Sequence, residues 1–297
     1  MYENILNEIK YTVIGETESA VIKQQNWNVA FGLQEVDNLK PSEYMLMLAK
    51  ENIKGSLSYD EVEKNITNYY NTKTSTETNV AEQQADEVSI RIIKILNDDS
   101  FTFNYLALKE YHKQLFYGVN IGLSGKYIGN FRDYNISKSE PILNGKSVVY
   151  ADYKMIAETL KYDFDEEKEQ KYSSMTEQQM VSRIADFTSR IWQVHPFGEG
   201  NTRTTAVFIQ KYLNSKGFEL DNSIFKDNSL YFRNALVKSN YSNYKFKIES
   251  DNSYLIRFFE NLLCNANHKL DNSEFYNNSQ IPTEQQTIIP APRSRGR

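Results

Sequence analysis

Apolar residues return every three or four positions along most of the chain, which is the spacing of one face of an α-helix. The clearest stripe lies within 175–194 and consists of Met180, Ile184, Phe187, Ile191 and Val194. The same spacing predicts further helices over 43–52, 59–70, 80–97, 104–117, 152–161, 202–215 and, as two or more helices, 227–266. Ser42 and Ser58 precede two of these segments and can cap them, because a serine oxygen accepts from the unpaired N–H groups of a first turn. The pattern is typical of an all-α protein.

The segment 138–150 interrupts this pattern with two short runs of strand-forming residues. Asn144 and Gly145 lie between the runs, and this pair favours the left-handed backbone of a two-residue hairpin turn. We therefore expect one small β-hairpin in an otherwise helical chain.

Polar stretches divide the chain into regions. Residues 71–79 (NTKTSTETN) lack apolar anchors and are predicted to be a linker. The stretch before it, residues 1–72, is predicted to form a small helical module. Residues 278–297 combine polar residues, prolines and arginines, and are predicted to be a disordered tail.

The composition narrows the functional classes. The 297 residues include 34 Lys and Arg and 39 Asp and Glu, which gives a net charge of −5. This balance opposes a nucleic-acid-binding protein, because neutralising phosphates requires a cationic surface. The single cysteine, Cys264, excludes an intramolecular disulfide and a cysteine-built zinc site. No apolar run approaches the roughly 20 residues of a membrane helix, and the N-terminus lacks signal-peptide features. We expect a cytoplasmic protein without nucleic-acid or membrane partners, and its oligomeric state stays open.

The segment HPFGEGNTR at 195–203 lies between two strongly periodic helices and combines four chemical capacities. His195 is a natural general base near neutral pH, and Glu199 supplies a carboxylate of the kind that holds Mg²⁺. The helix that starts after Gly200 offers an anion unpaired N–H groups and a favourable dipole. Arg203 adds a planar guanidinium that suits phosphate oxygens. Together these residues favour phosphoryl or nucleotidyl transfer.

The same segment also fits a structural interpretation. A histidine at the end of an apolar helix commonly caps it, and glycines between helices commonly form a turn. A glutamate and an arginine in one loop commonly form a solvated pair. The joint order of the residues favours the catalytic interpretation, but spacing alone leaves both open.

HPFGEGNTR resembles HxFx(D/E)GNxR, the signature loop of Fic-domain proteins. Three further segments fall in the order that such domains use: GNFR at 129–132, the predicted hairpin at 138–150 and YFRNALVKSN at 231–240. The resemblance covers about 80–265. It implies an all-α Fic catalytic domain with the hairpin as a small flap, preceded by the small helical module.

The resemblance implies a protein adenylyltransferase, which transfers AMP from ATP to a Ser, Thr or Tyr hydroxyl of a target protein, with auto-AMPylation of the chain itself as a further reaction. His195 would deprotonate that hydroxyl, Glu199 would hold Mg²⁺ on the α- and β-phosphates, and Arg203 would neutralise charge on the leaving pyrophosphate side. The phosphates would be cradled by the amides of Gly200, Asn201 and Thr202. Asn201 would also steady the α-phosphate.

Two further contacts are implied outside the loop. Asn240 would face the adenine, although it equally fits an ordinary polar residue of its helix. The flap at 138–150 would dock the target protein by pairing its open edge with an extended target segment.

Two positions depart from the family. Thr202 stands where the family often has glycine, and Ala206 stands where it commonly has a second arginine that contacts the γ-phosphate. The missing arginine puts the grip on the γ-phosphate in doubt. It keeps other Fic-type reactions open, namely phosphotransfer, transfer of another nucleotide, or removal of AMP. A non-catalytic regulator is a further alternative.

Residues 28–70 resemble the small antitoxin that partners some Fic toxins, here fused in front of the domain. In that family an inhibitory helix carries (S/T)xxxE(G/N), whose glutamate pairs with the second arginine and blocks productive ATP binding. The corresponding residues here are Leu33, Asp37 and Asn38. Because both ends of this contact are altered, we expect autoinhibition to be weak or differently built. The alternative is that Asp37 only caps or decorates a helix.

Overall fold

The computed structural model describes residues 17–74 and 79–277. The start of the predicted N-terminal module (1–16), part of the predicted linker (75–78) and the predicted disordered tail (278–297) lie outside the described residues. The α-helices are α1 Thr17–Glu35, α2 Glu43–Ile53, α3 Tyr59–Asn71, α4 Val80–Leu96, α5 Ala107–Phe116, α6 Ile156–Lys168, α7 Glu177–Val194, α8 Asn201–Ser215, α9 Ser223–Ser239, α10 Ser253–Cys264 and α11 Ser273–Asn277. The predicted all-α class is confirmed, because these described residues contain no strand.

The helix starts follow the predicted caps. The Ser42 hydroxyl accepts from the Met45 N–H at the start of α2. Ser58 and Glu61 form a reciprocal capping box at the start of α3, which satisfies two N–H groups that have no partner inside the helix. These local contacts fix where the two helices begin.

The β-hairpin predicted over 138–150 does not form, since this segment contains no strand. Asn144 (φ 52°) and Gly145 (φ 84°) do adopt the left-handed backbone of the predicted turn. Before them, Pro141–Leu143 forms a 3₁₀ turn, because a proline has no N–H to donate to a strand ladder. We call residues 138–150 the flap.

The two arms of the flap stay joined by isolated bonds. The Glu140 N–H donates to the Lys146 carbonyl over 3.0 Å. The Lys138 N–H donates to the Ser147 hydroxyl, also over 3.0 Å, instead of to a carbonyl. Because a side-chain hydroxyl takes the place of a carbonyl at Ser147, the backbone hydrogen bonds between the arms do not continue beyond Glu140 and Lys146.

Helix α1 is built into the same hydrophobic core as the rest of the chain. It packs against α9 and α4, and its Trp27 and Leu33 are fully buried. Gly32 allows the close crossing, because a side-chain carbon there would overlap the Phe225 carbonyl of α9. The core is therefore continuous from α1 onward, and the boundaries 1–72 and 80–265 stay predictions.

One buried carboxylate joins the next three helices. Asp86 of α4 accepts from the Ser42 N–H at 2.8 Å, from the Ser42 hydroxyl at 2.6 Å and from the Tyr70 hydroxyl at 2.6 Å. Burial raises the pKa of Asp86 to about 6.

Among the helices of 17–74 and 79–277, none combines the length and the apolar character that a bilayer crossing requires.

Candidate active site

His195 follows directly after α7, with a left-handed backbone (φ 47°) that turns the chain out of the helix. Its N–H donates to the Trp192 carbonyl over 3.0 Å, and its ring Nδ1 lies 3.3 Å from the same oxygen. A carbonyl can only accept, so Nδ1 carries the ring proton. Nε2 is then the basic nitrogen, and it has no hydrogen-bond partner among the described residues.

The surroundings of His195 keep it neutral. Burial, together with the nearby positive charge of Lys138, lowers the pKa of the imidazole to about 3. The hydrogen bond to Trp192 acts in the opposite direction but is the smaller effect. A neutral ring with a fixed tautomer can accept a proton, as a general base must.

Arg132 holds the main chain around His195. Its side chain is buried and donates to four carbonyl oxygens of the neighbouring backbone. These bonds run to His195 (2.8 Å), Tyr134 (2.7 Å), Ala151 (2.6 Å) and Val194 (3.2 Å). Residue 132 was noticed in the sequence only as part of GNFR, and its bridging role depends on contacts between distant segments.

The middle of the loop is braced from inside and from α5. The Asn201 side chain accepts from the Phe197 N–H (2.9 Å) and donates to the Phe197 carbonyl (2.8 Å). His112 stacks on the Phe197 ring at 3.9 Å between ring centres. Its Nδ1 accepts from the Gly129 N–H, so its Nε2 carries the proton and donates to the Glu199 carbonyl over 3.1 Å. Asn201 and His112 therefore fix the loop backbone.

Gly200 is required by both conformation and space. Its φ of 75° lies in the left-handed region, which side chains disfavour. A side-chain carbon there would also overlap the Phe116 ring of α5. The loop can thus lie directly against Phe116 at the start of α8.

Glu199 presents its carboxylate at the edge of the site, with 35 % of the side chain exposed. Its Oε1 accepts from the Gly200 N–H over 3.0 Å and lies 3.8 Å from the Lys138 ammonium. Within 17–74 and 79–277, no three acidic, His or Cys side chains come together as a metal cage. One accessible carboxylate fits Mg²⁺ that takes its other ligands from phosphates and water.

Arg203 is fully buried and engaged by α1 and the turn after it. Its Nη2 lies 2.8 Å from the Asp37 carboxylate, and its Nη1 donates to the Gln34 carboxamide over 3.3 Å. The Phe116 ring lies 4.8 Å from the guanidinium carbon. The group predicted to meet phosphate is therefore already bound to a carboxylate of the same chain.

The two departures from the family, Thr202 and Ala206, lie on either side of Arg203 in the first two turns of α8. The Thr202 hydroxyl accepts from the indole N–H of Trp192 over 3.0 Å, so it ties α8 to α7. Ala206 is fully buried. The arginine that carries the Asp37 contact is thus Arg203, one turn before the position that the family motif would use.

The remaining predicted residues lie outside this arrangement. The Asn240 amide donates to the carbonyls of Leu236 (2.9 Å) and Ser189 (3.2 Å), which ties the end of α9 to α7. Leu33 belongs to the core, and Asn38 is exposed with φ 56° just after α1. The structure brings together His195, Glu199, Gly200, Asn201, Thr202, Arg203 and Asp37.

Comparison with known families gives one match. The profile described as Fic/DOC family matches residues 102–213, a span that includes α5, the flap and the 195–203 loop. That family is generally linked to AMPylation or related nucleotidyl transfer. A search among curated proteins found no match.

Proposed function

We propose, from the premise that residues 102–213 form a Fic/DOC family domain, that this chain transfers AMP from ATP to a Ser, Thr or Tyr hydroxyl of a target protein. The observation that carries the proposal is the neutral imidazole of His195, whose Nδ1 proton is fixed by the Trp192 carbonyl. This leaves Nε2 to accept the proton of the attacking hydroxyl. The base stands six residues before the N-terminus of α8, which favours anionic phosphate.

The phosphates would lie at the start of α8. The amides of Gly200, Asn201 and Thr202 at the start of α8 are proposed to face them, since N–H groups at a helix start have no helical partner. The Gly200 N–H would then leave the Glu199 carboxylate, to which it donates here. Asn201 uses its side chain on Phe197, so we propose that it steadies the α-phosphate mainly by fixing the loop. Asn240 stays the proposed contact on the adenine side.

Glu199 is the residue that would hold Mg²⁺. When bound, the ion supplies positive charge that offsets charge on the phosphates during transfer. The carboxylate accepts from the Gly200 N–H and lies near the Lys138 ammonium. The chain itself positions the carboxylate beside the helix terminus at which the phosphates would bind.

Arg203 would neutralise the leaving pyrophosphate, and we propose that Asp37 regulates it. A fully buried guanidinium needs a charged partner, and Asp37 fills that place at 2.8 Å. We propose that a phosphate bound at the same side of the guanidinium takes the place of the Asp37 carboxylate. This is autoinhibition built on Arg203 instead of position 206, and it suits a chain that works as a toxin with its antitoxin fused in front.

The flap is the proposed docking place of the target protein. The arm of the flap after its turn and the segment before the flap line a cavity of about 410 Å³. Its lining includes Ile136, Val148 and Val149. Val149 is 79 % exposed. Because the two arms share few backbone bonds, an extended target segment could take up the unpaired groups.

A second candidate is a related transfer reaction. Ala206 leaves α8 with no arginine at the position that commonly contacts the γ-phosphate. This favours keeping phosphotransfer, transfer of another nucleotide and removal of AMP as alternatives. A non-catalytic regulator is less favoured, because His195, Glu199 and Arg203 are all present in the loop.

The test uses ATP labelled separately on the α- and γ-phosphates, incubated with Mg²⁺, the full chain and candidate target proteins. Retention of the α-label on protein is expected. Retention of the γ-label without the α-label would mean phosphotransfer instead. Absence of both labels, on the chain and on every target, would favour the regulator. Mass spectrometry of the modified peptide identifies the attached group and the acceptor side chain.

A further inference from the structure

The His195 ring lies between two aromatic side chains. The Tyr150 ring stacks on it, with ring centres 4.1 Å apart and planes 28° apart. The Trp192 ring meets it edge-on at 5.1 Å and 88°. All three side chains are buried, so the plane of the imidazole is set by contacts on its face as well as by the hydrogen bond of Nδ1.

Tyr150 is itself held in register with His195. The guanidinium of Arg132 donates to the carbonyl of Ala151, the residue after Tyr150, at 2.6 Å and to the carbonyl of His195 at 2.8 Å. One rigid, planar group therefore joins the backbone of the flap to the backbone of the loop. This bridge holds the backbone next to Tyr150 in place relative to the backbone of His195.

A buried ion pair anchors the arm of the flap that precedes its turn. The Glu140 carboxylate, fully buried, lies 2.7 Å from the Arg233 guanidinium of α9. Removing either partner would leave an unpaired buried charge, which is strongly unfavourable. The flap thus has a fixed inner side, at Glu140 and Tyr150, and an exposed outer side at Val149.

We infer that Tyr150 is a positioning residue for His195, and that the flap side chain stacked on the imidazole holds the ring in the orientation in which Nε2 receives a proton. The inference rests on the proposed function for its catalytic consequence. It adds to that function a residue that touches the base instead of the substrate.

The stack acts in two ways. It limits rotation of the imidazole about its side-chain bonds, which keeps Nε2 aimed at one place. It also covers one ring face from water, and exclusion of water disfavours the protonated imidazolium. Burial and the Glu140 carboxylate raise the pKa of the Tyr150 hydroxyl, so the stacked ring is a neutral phenol.

Several charged groups lie near His195 and Tyr150, and each of them influences the pKa of His195 or of Tyr150. They are Lys138 and Glu140 of the flap, Arg132 of the 129–132 segment, Arg233 of α9 and Glu199 of the loop. Substitutions at Tyr150 leave all of these charges in place. A change in the titration of His195 therefore reports on the lost ring and not on a lost charge.

The test compares Tyr150→Phe, Tyr150→Leu and Tyr150→Ala in the full chain, with Tyr244→Ala as control because Tyr244 is 93 % exposed. NMR of the histidine rings, assigned with His195→Gln, follows the pKa of His195 without any transfer reaction. We expect Tyr150→Ala to raise this pKa by about one or more, because it uncovers one face of the ring, and Tyr150→Leu, Tyr150→Phe and Tyr244→Ala to change it little. Label transfer from ATP should fall about tenfold to a hundredfold in the Ala and Leu variants and stay near the original rate in the other two.

The outcomes separate the inference from the proposed function. If no variant or wild-type chain transfers label but the His195 pKa rises as expected, the function is wrong and the positioning role stands. If Tyr150→Leu folds and does not lower the rate, or if Tyr150→Ala folds and leaves the pKa of His195 unchanged, the positioning role is overturned. It is also overturned if Tyr150→Phe is as damaging as Tyr150→Leu, because the hydroxyl and not the ring would then be the active feature. Tyr150→Leu keeps most of the buried volume, so the test does not depend on the folding of Tyr150→Ala.

Discussion

The two ends of the 195–203 loop are both buried, yet different parts of the chain hold them. His195 is fixed by groups of its own domain, above all the Arg132 guanidinium. Arg203 is fixed by Asp37, which precedes the segment that matches the Fic/DOC family. The end that holds the proposed base is fixed within its own domain, whereas the end proposed to bind phosphate is paired with a carboxylate from an earlier segment of the chain.

Charge explains why the two ends can be treated so differently. His195 is neutral at pH 7, because burial lowers its pKa to about 3, so its site needs only shape and one hydrogen bond. Arg203 stays charged in a fully buried position, and a buried charge must be paired. Asp37 is that pair here, and under the proposed function phosphate would replace it, which would separate regulation from the proposed base within nine residues.

The largest expected effect is on the His195 end. His195→Ala removes the proposed base and should lower transfer of the α-label by about 10²- to 10⁴-fold, the usual contribution of general base catalysis. The rate is measured as label on protein against time, at saturating ATP and Mg²⁺.

The matched control is His268→Ala. His268 is partly exposed, and its ring contacts Glu260 at 2.6 Å away from the loop. Its loss should leave the rate unchanged. Equal rates for His195→Ala and the unaltered chain would remove the base from the proposal.

The second prediction concerns stability and pH at the same end. The pKa of His195 is lowered from its ordinary 6.5 to about 3 on folding, so below pH 6.5 the unfolded chain binds a proton that the folded chain excludes. Stability is therefore lost as pH falls from 6.5 toward 3. At pH 5 this loss is about 2 kcal/mol.

Urea unfolding of the unaltered chain and of His195→Gln, at pH 7 and pH 5, checks this value. Asp86 and Asp163 have pKa values raised to about 6 and contribute with the opposite sign, but they are common to both proteins. The difference between the two pH dependences isolates His195, and identical dependences would contradict the prediction.

The third prediction concerns the Arg203 end. Asp37→Asn keeps the side-chain shape but removes the charge, so Arg203 should become easier for phosphate to reach. We expect the Kd for ATP to fall about tenfold and the free energy of unfolding to fall by about 1.5–3 kcal/mol, the range for a hydrogen bond to a charged group. Calorimetric titration with ATP and urea unfolding measure the two effects.

Asp60→Asn is the control, because Asp60 is exposed and pairs with Lys94 at the surface. It should change neither quantity appreciably. A point substitution is preferable to removal of residues before 75, since α1 belongs to the core and its loss would expose the α9 surface. An unchanged ATP affinity in Asp37→Asn would mean that Asp37 does not compete with phosphate.

The sequence predicted this molecule well where the cause is local. Helix spacing and the capping residues Ser42 and Ser58 depend on a few neighbouring positions, and the helices that follow them begin where expected. The 195–203 loop was found the same way, because its glycines, charges and histidine lie within nine residues. Asn144 and Gly145 even adopt the predicted turn.

The sequence did not predict contacts between distant segments. Gln34 and Arg203 are 169 positions apart, and periodicity indicates which face of a helix is buried but not what covers it. The flap fails as a hairpin for a related reason: Pro141 interrupts the ladder and Glu140 pairs with Arg233 on α9. Arg132 was missed because its partners are backbone carbonyls, which no sequence motif marks.

The smallest expected effect tests whether the two ends of the loop are mechanically joined. Thr202→Val keeps the side-chain shape and removes the oxygen that accepts from the Trp192 indole over 3.0 Å. A buried N–H without a partner should lower the free energy of unfolding by about 1 kcal/mol or slightly more. Thr204→Val is the control, because the buried Thr204 hydroxyl has no partner among the described residues and its loss should be neutral or stabilising.

Because Trp192 lies beside His195 and Thr202 lies beside Arg203, a change in both the His195 pKa and the ATP affinity of Thr202→Val would show that the ends are coupled. We expect the stability change alone, since each end has its own independent set of contacts.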